Sequence, residues 1–460
     1  MHARPREAKD RAHQTGSGEL LRRILTALDR AQVRWCLLHG QDMLPEHIAG
    51  DIDLVVARDD FSRMFSVLSG VAGAAVAQAF VYEATSVCYV LVGSSAHGLT
   101  RVSLDVSFEY RGAGRCFFSA DEILINRRRS PSGLWMPAAH MEFATYFLKK
   151  VLKSKGEREP LTSGAMTRLY RLFAAERAEA VWALRMFFSA DIAQRVAAWI
   201  QAGEWVTVVA NMALLRRDAL QQALRLQPLS VVRYWLWELH RILYRVAQPT
   251  GLVIAILGVD GAGKSSVAAH LPEHMVSLCQ RARAFHYRPF WGRRARPRPI
   301  ASNPHQLRPR GAVLSLLKIA YVWLDYWVSW IGVIRPAKVR STLVVFDRYF
   351  DDLYLDPVRY RSAAVAGAAR WLARWTPRPD LFVVLEASIN QLCQRRPDLS
   401  PITAAALHAR YAQFAASEPR AIMLANNGRL EHTLREITQC ALGFMVLRLQ
   451  RRLGMRLDGD

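Results

Sequence analysis

The sequence has few cysteines and few lysines, and both shortages restrict what the protein can be. Its six cysteines are scattered over 460 residues and form no Cys-x-x-Cys pair. This pattern excludes a disulfide framework and a zinc site, and it predicts reduced thiols in a cytoplasmic protein. Only eight of the 62 basic residues are lysine. A lysine inside a motif is therefore more informative here than in an average sequence.

Acidic residues are also scarce, and the excess of arginine implies partners that carry phosphate. There are 62 basic and 39 acidic residues, so the formal net charge is +23. Arginine forks match phosphate oxygens, although a genome that favours arginine produces the same bias. We expect a phosphorylated nucleotide, sugar or glycan as partner rather than a nucleic acid. A homodimer is also compatible with the sequence.

Long apolar runs are rare, and only residues 312–334 have the length of a membrane span. Lys318 and Asp325 interrupt this run near its middle, where charges are costly in a bilayer. We therefore predict a buried helix, with peripheral membrane contact as the less favoured alternative. Residues 1–18 are basic and polar, lack the apolar core of an export signal, and are expected to form a disordered lead-in.

Periodicity divides the rest of the chain into three domains and a tail. Residues 19–139 mix strand-like and helical runs, which predicts an α+β domain. Residues 140–247 are helical almost throughout and predict a middle domain of helices. Residues 251–443 alternate apolar strands with helices, the pattern of an α/β domain with a parallel sheet. Residues 444–460 form a basic amphipathic tail.

The sequence GVDGAGKSS at residues 258–266 follows an apolar strand and precedes a helical run. It satisfies the phosphate-loop pattern GxxxxGK[ST], in which backbone N–H groups and a helix N-terminus surround phosphates. Lys264 is expected to reach the β and γ phosphates, and the Ser265 hydroxyl to ligate Mg²⁺. The predicted ATP-binding residues are Gly258, Val259, Asp260, Gly261, Ala262, Gly263, Lys264, Ser265 and Ser266.

Two further strands of this domain end in charged residues. The strand that starts at Thr342 ends in Asp347, a candidate Mg²⁺ ligand, and Arg348 follows as a phosphate-binding fork. Another strand ends at Glu386, which we also count as a candidate Mg²⁺ ligand. Arg395 and Arg396 come soon after it and could close over the transferred phosphoryl group. Surface arginines without a role are the alternative for this pair.

These motifs, GVDGAGKSS, FDRY and RPDLFVVLEAS in that order, resemble the thymidylate kinase-like branch of the nucleoside monophosphate kinases. The resemblance implies a P-loop kinase fold, ATP and Mg²⁺ as cofactors, and catalytic roles for Lys264, Asp347, Arg348, Arg395 and Arg396. It places Asp260, Arg288, Arg348 and Tyr349 near the phosphoryl acceptor. The sequence departs from thymidylate kinases after the first helix, where it has FHYRPFWGRR in place of a TREPGG-like loop.

Three carboxylates in the first domain form a second constellation. Asp51 and Asp53 lie two apart on a strand, hence on one face, and Asp105 comes from a later strand. This pattern resembles the nucleotidyltransferase fold, in which such carboxylates hold two metal ions for nucleotidyl transfer. The usual Gly-Ser turn is replaced by His39, Gly40 and Gln41. The domain could be an active nucleotidyltransferase or an inactive one that only binds a ligand.

The fusion of a nucleotidyltransferase-like unit to a thymidylate kinase-like unit resembles bacterial proteins encoded with exopolysaccharide biosynthesis genes. Three functions follow from it as hypotheses. The first is an ATP-dependent kinase that resembles nucleoside monophosphate kinases. The second is a kinase that acts on a sugar, a glycan or a lipid-linked intermediate, and the third is an ATP-binding regulator with little turnover.

Overall fold

The computed structural model describes residues 5–38, 44–45, 48, 50–83, 85–95, 98–112, 114–153, 161–275, 278–279, 281–288, 311–362, 365–426 and 429–453. The chain forms two compact units, Met1–Leu243 and Tyr244–Asp460. The predicted turn of His39, Gly40 and Gln41 lies outside the described residues, as does most of the Arg/Pro-rich segment that follows Arg288.

The first unit contains a five-stranded mixed sheet in the order β1-β2-β5-β4-β3. Strands β2 and β5 are parallel neighbours, whereas the other pairs are antiparallel. Two short hairpins follow the sheet. The strands are β1 (Trp35–Leu37), β2 (Ile52–Val56), β3 (Ala74–Glu83), β4 (Ser86–Ser95), β5 (Gly98–Ser107), β6 (Glu109–Gly112), β7 (Arg115–Ser119), β8 (Arg128–Arg129) and β9 (Trp135–Met136).

Helices of the first unit pack with strands in one hydrophobic core. This core joins strand residues such as Val55 and Phe118 to helical residues such as Phe147, Leu184 and Leu215. The boundary at residue 139 therefore stays a prediction. The helices are α1 (Pro5–Arg30), α2 (Arg58–Phe61), α3 (Met64–Ser69), α4 (Ala120–Leu124), α5 (Ala139–Lys153), α6 (Ser163–Ala175), α7 (Arg177–Phe187), α8 (Ala190–Ala202), α9 (Trp205–Ala210), α10 (Met212–Leu226) and α11 (Pro228–Ala247), the last of which crosses the division between the units.

The second unit is built on a five-stranded parallel sheet in the order β11-β12-β10-β13-β14. Strand β10 is buried along its whole length, as expected for the centre of a sheet covered on both faces. The strands are β10 (Leu252–Gly258), β11 (Arg281–His286), β12 (Thr342–Asp347), β13 (Leu381–Glu386) and β14 (Ala421–Ala425). A mixed α/β fold with a parallel sheet is thus confirmed.

The helices of the second unit cover this sheet. They are α12 (Lys264–His274), α13 (Ala312–Ser329), α14 (Arg335–Val339), α15 (Asp352–Leu355), α16 (Ala366–Ala373), α17 (Ile389–Arg395), α18 (Pro401–Ser417) and α19 (Leu430–Arg452), with a π-helical turn at Trp330–Ile334 between α13 and α14.

The prediction of a buried helix at residues 312–334 is wrong for one of its faces. Ile319, Val322 and Tyr326 of α13 are buried, but Leu317 is 63% and Ile331 66% exposed. Among the described residues, Ala312–Val339 is the one helical segment long and apolar enough to cross a membrane, and 33% of its apolar window is buried. The contacts of both charged residues explain the difference: Asp325 is fully buried, and the half-buried Lys318 donates from Nζ to the Tyr360 carbonyl at 2.9 Å.

Helices reach both ends of the described chain, whereas residues 1–18 were expected to be disordered. Residues 5–18 belong to helix α1, because Ala, Glu, Arg and Lys favour helix and extend the turns anchored by buried Leu20 and Ile24. The predicted tail begins inside α19, since Met445 and Leu449 are buried and keep the helix on its unit as far as Arg452.

Candidate active site

The loop between β10 and α12 wraps around an open space at the carboxyl edge of the parallel sheet. Its glycines 258, 261 and 263 have φ angles of 138°, 94° and 89°, which side chains rarely tolerate. A Cβ atom on Gly263 would lie 2.3 Å from Asn426 Nδ2, and one on Gly258 would lie 2.5 Å from the Leu385 carbonyl oxygen. The loop can therefore follow this path only with glycine at both positions.

Lys264 is held beneath the loop by the loop's own backbone. Its side chain is buried, and Nζ donates to the carbonyl oxygens of Gly258 and Val259, each at 2.8 Å. Burial, and then the charge of Arg348, lower the pKa of Lys264 to about 7, although Asp352 and other nearby carboxylates oppose the shift. A phosphate bound in the loop would add negative charge beside this ammonium group, whose Nζ lies 3.4 Å from Asp260 Oδ1.

Asp347 and Ser265 meet because β12 is the parallel neighbour of β10. The register aligns Asp347 with Ile256, just before the loop. Ser265 Oγ donates to Asp347 Oδ2 at 2.8 Å, and His286 Nδ1 lies 3.0 Å from the same oxygen. Burial raises the pKa of Asp347, but hydrogen bonds from His286 and Ser265 and the charge of Arg348 outweigh it, and the pKa is lowered. Asp347 is thus held as a carboxylate.

Arg348 joins the loop to the segment after β12. Its backbone has a φ of 78°, and its side chain is buried. One guanidinium nitrogen pairs with the Asp260 carboxylate, and the other lies 3.1 Å from Asp352 Oδ2. Arg359 pairs with the second oxygen of Asp260. Two arginines therefore converge on one loop carboxylate.

These groups line a cavity of about 530 Å³ with five cationic side chains. Arg395 Nη1 donates to the Gly261 carbonyl at 2.9 Å, so this arginine lies directly over the loop. Arg396 lines the same cavity but forms a two-bond fork with Asp398, at 3.0 Å for each bond. The lining residues are Asp260, Gly261, Gly263, Lys264, Ser265, Ser266, His286, Arg348, Arg359, Arg395, Arg396, Asn426 and Leu430.

Three residues expected at this site lie elsewhere. Tyr349 is fully buried among core aromatic rings, and its hydroxyl donates to the Pro377 carbonyl. Glu386 ends β13 outside the cavity lining, where one carboxylate oxygen lies 2.9 Å from His408 Nε2. Arg288 stacks over the ring of Tyr321, with its guanidinium carbon 5.6 Å from the ring centroid. Each of these residues was predicted from its position at a strand end or next to a motif, and that position alone did not place its side chain in the cavity.

Sequence reasoning also missed three residues that line the cavity. His286 ends β11, next to β12 in the sheet, and the register pairs it with Asp347. Arg359 reaches Asp260 from the segment after α15. Asn426 follows β14, and its Nδ2 donates to the Ala262 carbonyl at 2.7 Å. His286 and Asn426 could have been found, because polar residues just after parallel strands meet at one edge of the sheet.

A second cavity, of about 540 Å³, lies in the first unit. Asp53 and Asp105 are paired in register on β2 and β5, so both side chains leave the same face of the sheet. Lys149 of α5 places Nζ 2.6 Å from Asp53 Oδ2. The lining residues are Leu38, Asp53, Thr85, Ser86, Asp105, Ser107, Glu109, Tyr110, Arg111, Gly112, Gly114, Leu148, Lys149, Leu152, Tyr234, Glu238 and Arg241.

The expected cluster of three carboxylates is not assembled here. Asp51 is exposed ahead of β2 and does not line the cavity, whereas Asp53 and Asp105 do. Within the described parts of the chain, no group of three or more His, Cys, Asp or Glu side chains is placed to hold a metal ion. The Lys149 ammonium group lies beside Asp53 and reduces the repulsion between the Asp53 and Asp105 carboxylates, so no metal ion is needed for this purpose.

The chain is similar in sequence to thymidylate kinases. Thymidylate kinase of Xanthomonas campestris pv. campestris strain B100 is 31% identical over 140 residues, which cover 30% of this chain and 57% of that protein. Thymidylate kinase of Xanthomonas euvesicatoria pv. vesicatoria strain 85-10 is 29% identical over 144 residues, or 30% of this chain and 58% of that protein. The chain thus spans little more than half the length of these relatives.

Solved structures give a more distant likeness. Thymidylate kinase from Ehrlichia chaffeensis aligns with 42% of this chain and 99% of its own at 12% identity and a TM-score of 0.31. That from Candida albicans aligns with 46% of this chain and 96% of its own, at 16% identity and the same TM-score of 0.31. No protein-family model matches the chain. The sequence match supports a thymidylate kinase-like P-loop domain in this chain.

Proposed function

We propose that this protein is an ATP- and Mg²⁺-dependent phosphotransferase of the nucleoside monophosphate kinase type. The observation that carries the proposal is the hydrogen bond of 2.8 Å between Ser265 Oγ and Asp347 Oδ2. It brings together the two side chains that the P-loop chemistry uses for the metal, one from the loop and one from the adjacent strand. A glycine-rich turn with no ligand would not need this pairing.

The residues present fit a magnesium ion. Asp347 Oδ1 is buried and has no hydrogen-bond partner within the described part of the chain, and a carboxylate oxygen is a hard ligand of the kind that Mg²⁺ prefers. Ser265 and Asp347 would hold the ion. When bound, it would neutralise charge on the phosphate oxygens of ATP.

The cationic side chains of the cavity would bind and orient the phosphates. Lys264 lies under the loop, ready to donate to the β and γ phosphates once they replace its backbone acceptors. Arg395, above the loop at Gly261, is placed to contact the transferred group. Such preorganised donors stabilise the charge that develops during phosphoryl transfer.

Asp260, Arg348 and Arg359 define the acceptor side in this proposal. The two arginines are fixed by one carboxylate, which leaves their remaining N–H groups to bind an anionic acceptor. The acceptor is a nucleoside monophosphate in the first candidate function. A lipid-linked or glycan acceptor is the second, and the exposed apolar face of α13 favours it, since Lys318 of this helix donates to the carbonyl of Tyr360, the neighbour of Arg359.

A phosphoryl-transfer screen with labelled ATP tests the proposal. The acceptors are dTMP and other nucleoside monophosphates, sugars, glycan fragments and short-chain lipid-linked sugars, each with and without Mg²⁺. Mg²⁺-dependent transfer to any nucleoside monophosphate supports the first candidate, and transfer to a carbohydrate alone supports the second. Tight ATP binding without transfer to any acceptor would overturn both and favour an ATP-binding regulator.

A further inference from the structure

Helix α13 and its π-helical turn expose a long surface that contains no charged residue. The solvent-facing side chains, here called the apolar face, are Ala312, Val313, Leu314, Leu316, Leu317, Ala320, Tyr321, Leu324, Trp327, Val328, Ile331 and Gly332. Over these residues the helix is about 30 Å long at 1.5 Å per residue. An apolar surface of this length is a binding surface rather than ordinary solvent-facing helix.

A second long helix of the same unit, α19, differs from α13 in its exposed residues. Helix α19 has 23 residues and packs on α12, but its exposed positions include Glu431, Arg435 and Arg451. In α13 the pattern is reversed: Asp325 is fully buried and Lys318 donates to a backbone carbonyl. Both charged residues of the helix therefore contact its own domain, together with buried Ile319, Val322 and Tyr326, and its exposed side chains are apolar.

The surroundings of the apolar face are basic. Residues 311–346 contain one acidic residue, the buried Asp325, and residues 361–379 contain none. Helix α16 packs against α13 and carries exposed Arg370 and Trp371, and exposed Arg374 and Trp375 follow its end. Arginine beside tryptophan is the composition of segments that lie at the boundary between anionic headgroups and acyl chains.

We propose that the apolar face docks on an anionic lipid bilayer, with α13 lying in the plane of the membrane surface. The helix does not cross the bilayer, because it connects β11 to β12, which are hydrogen-bonded neighbours in one sheet. Tyr326 also ties it to the domain, since its hydroxyl donates to the Tyr287 carbonyl at 2.6 Å. An in-plane apolar helix with basic flanks binds through buried apolar area and attraction to anionic lipid together.

Flotation of the full-length protein with lipid vesicles tests this proposal. Vesicles of phosphatidylcholine with about 30% phosphatidylglycerol should bind at least about tenfold more protein than phosphatidylcholine alone, and salt should weaken the binding. The substitutions Leu317→Glu and Ile331→Glu together should cut binding about tenfold or more. Both side chains are solvent-exposed, so circular dichroism melts should match those of the unchanged protein.

The matched control is Ile402→Glu on α18, an 84% exposed apolar residue of the same unit. It should float like the unchanged protein, and the pair Arg370→Glu and Arg374→Glu should lower binding to anionic vesicles only. Failure to bind either vesicle overturns the proposal, as does equal loss in Ile402→Glu. If the lipid-free protein is a dimer in sedimentation velocity and Leu317→Glu makes it a monomer, the apolar face binds a second copy and the membrane proposal is wrong.

Discussion

The two cavities are nearly equal in size, about 530 Å³ in the second unit and 540 Å³ in the first, but they hold their charges differently. Around the P-loop, Lys264 is fixed by backbone carbonyls and Asp347 by the Ser265 hydroxyl, and Asp347 Oδ1 has no hydrogen-bond partner among the described residues. In the first unit Asp53 already has a cation, Lys149, at 2.6 Å. The P-loop cavity is therefore prepared for a ligand, whereas in the first unit Lys149 largely neutralises the charge of Asp53.

This difference teaches that converging carboxylates alone do not indicate an active site. A metal ligand needs a carboxylate oxygen that the protein leaves available: within the described residues Asp347 Oδ1 is buried without a hydrogen-bond partner, whereas the Lys149 ammonium group lies 2.6 Å from Asp53 Oδ2. The predictions that follow each test one side of this contrast.

The largest effect is expected from Lys264→Ala. Phosphoryl transfer should fall about 100- to 1,000-fold, because an electrostatic group that acts on the transferred phosphate is removed. The substitution also leaves two loop carbonyls without their donor, so stability must be measured alongside turnover. Lys338→Met is the matched control: Lys338 is a buried lysine paired with Asp380, and its loss should lower stability but leave turnover within about threefold. Near-native turnover in Lys264→Ala would contradict the kinase proposal.

Asp347→Asn should lower kcat/KM by about 30- to 900-fold, equivalent to about 2–4 kcal/mol of transition-state stabilisation. The amide keeps the volume but removes the charge, so the Mg²⁺ concentration needed for half-maximal rate should rise. Asp351→Asn, at a buried carboxylate paired with Arg378, is the control and should destabilise without changing this Mg²⁺ dependence. If Asp347→Asn leaves the Mg²⁺ titration unchanged, this strand end is structural.

The pKa of Lys264 predicts a proton-linked ATP affinity. In the unfolded chain the lysine has its ordinary pKa of 10.5, and burial lowers this pKa to about 7 in the folded protein. At pH 8.5 the ligand-free side chain is therefore mostly neutral, and phosphates favour its charged form, so ATP binding should take up a proton and weaken as the pH rises above about 7. Calorimetry at pH 8.5 in two buffers of different ionisation enthalpy measures this uptake.

The lowered pKa of Lys264 also predicts how the stability of the protein changes with pH. Because the pKa is lowered on folding, the unfolded chain binds more protons between pH 7 and 10.5, and the contribution of Lys264 to stability rises across this window. In Lys264→Ala both the proton uptake and this slope should disappear. Equal binding enthalpies in the two buffers would show that the ammonium form is already present before ATP binds.

The P-loop could be predicted from sequence because its residues are fixed by short spacing along one turn. His286 and Asn426 required one further assumption, that β11 and β14 are parallel strands of the same sheet, whereas no pattern in the sequence places Arg359 beside Asp260. The positive φ of Arg348 breaks the alternation at the end of β12, so the pattern could not show that Arg348 faces the cavity while Tyr349 enters the core.

Helix α13 was misjudged for a related reason. Lys318 and Asp325 indicate that the segment does not span a membrane, but they say nothing about which face is buried. Only the packing partners decide this, and they take up both charged side chains while leaving Leu317 exposed. The apolar content of a helix can therefore be predicted from sequence more reliably than which of its side chains are buried.

A smaller effect is expected in the first unit from Lys149→Met. Removal of the ammonium group leaves Asp53 beside Asp105, and Mg²⁺ should then bind and offset their repulsion. At tenfold excess over Kd the gain is about 1.4 kcal/mol, or a rise of about 3–6 °C in the melting midpoint of this unit. The unchanged protein should show less, and Lys149→Met with Asp105→Asn should lose the rise. An equal Mg²⁺ shift in all three proteins would show that the carboxylate pair is not the binding site.

The smallest effect is expected from Glu386→Gln, which separates a strand-end carboxylate outside the cavity from Asp347 inside it. Glu386 contacts His408 at 2.9 Å, and its side chain is 42% exposed, so this contact is screened by solvent. Transfer should stay within about twofold and the Mg²⁺ dependence should not change, since no group that touches the phosphates is altered. Steady-state rates across a Mg²⁺ titration, run beside Asp347→Asn, provide the measurement. A rise in the Mg²⁺ requirement like that of Asp347→Asn would return Glu386 to the magnesium site and remove the distinction drawn here between the two strand ends.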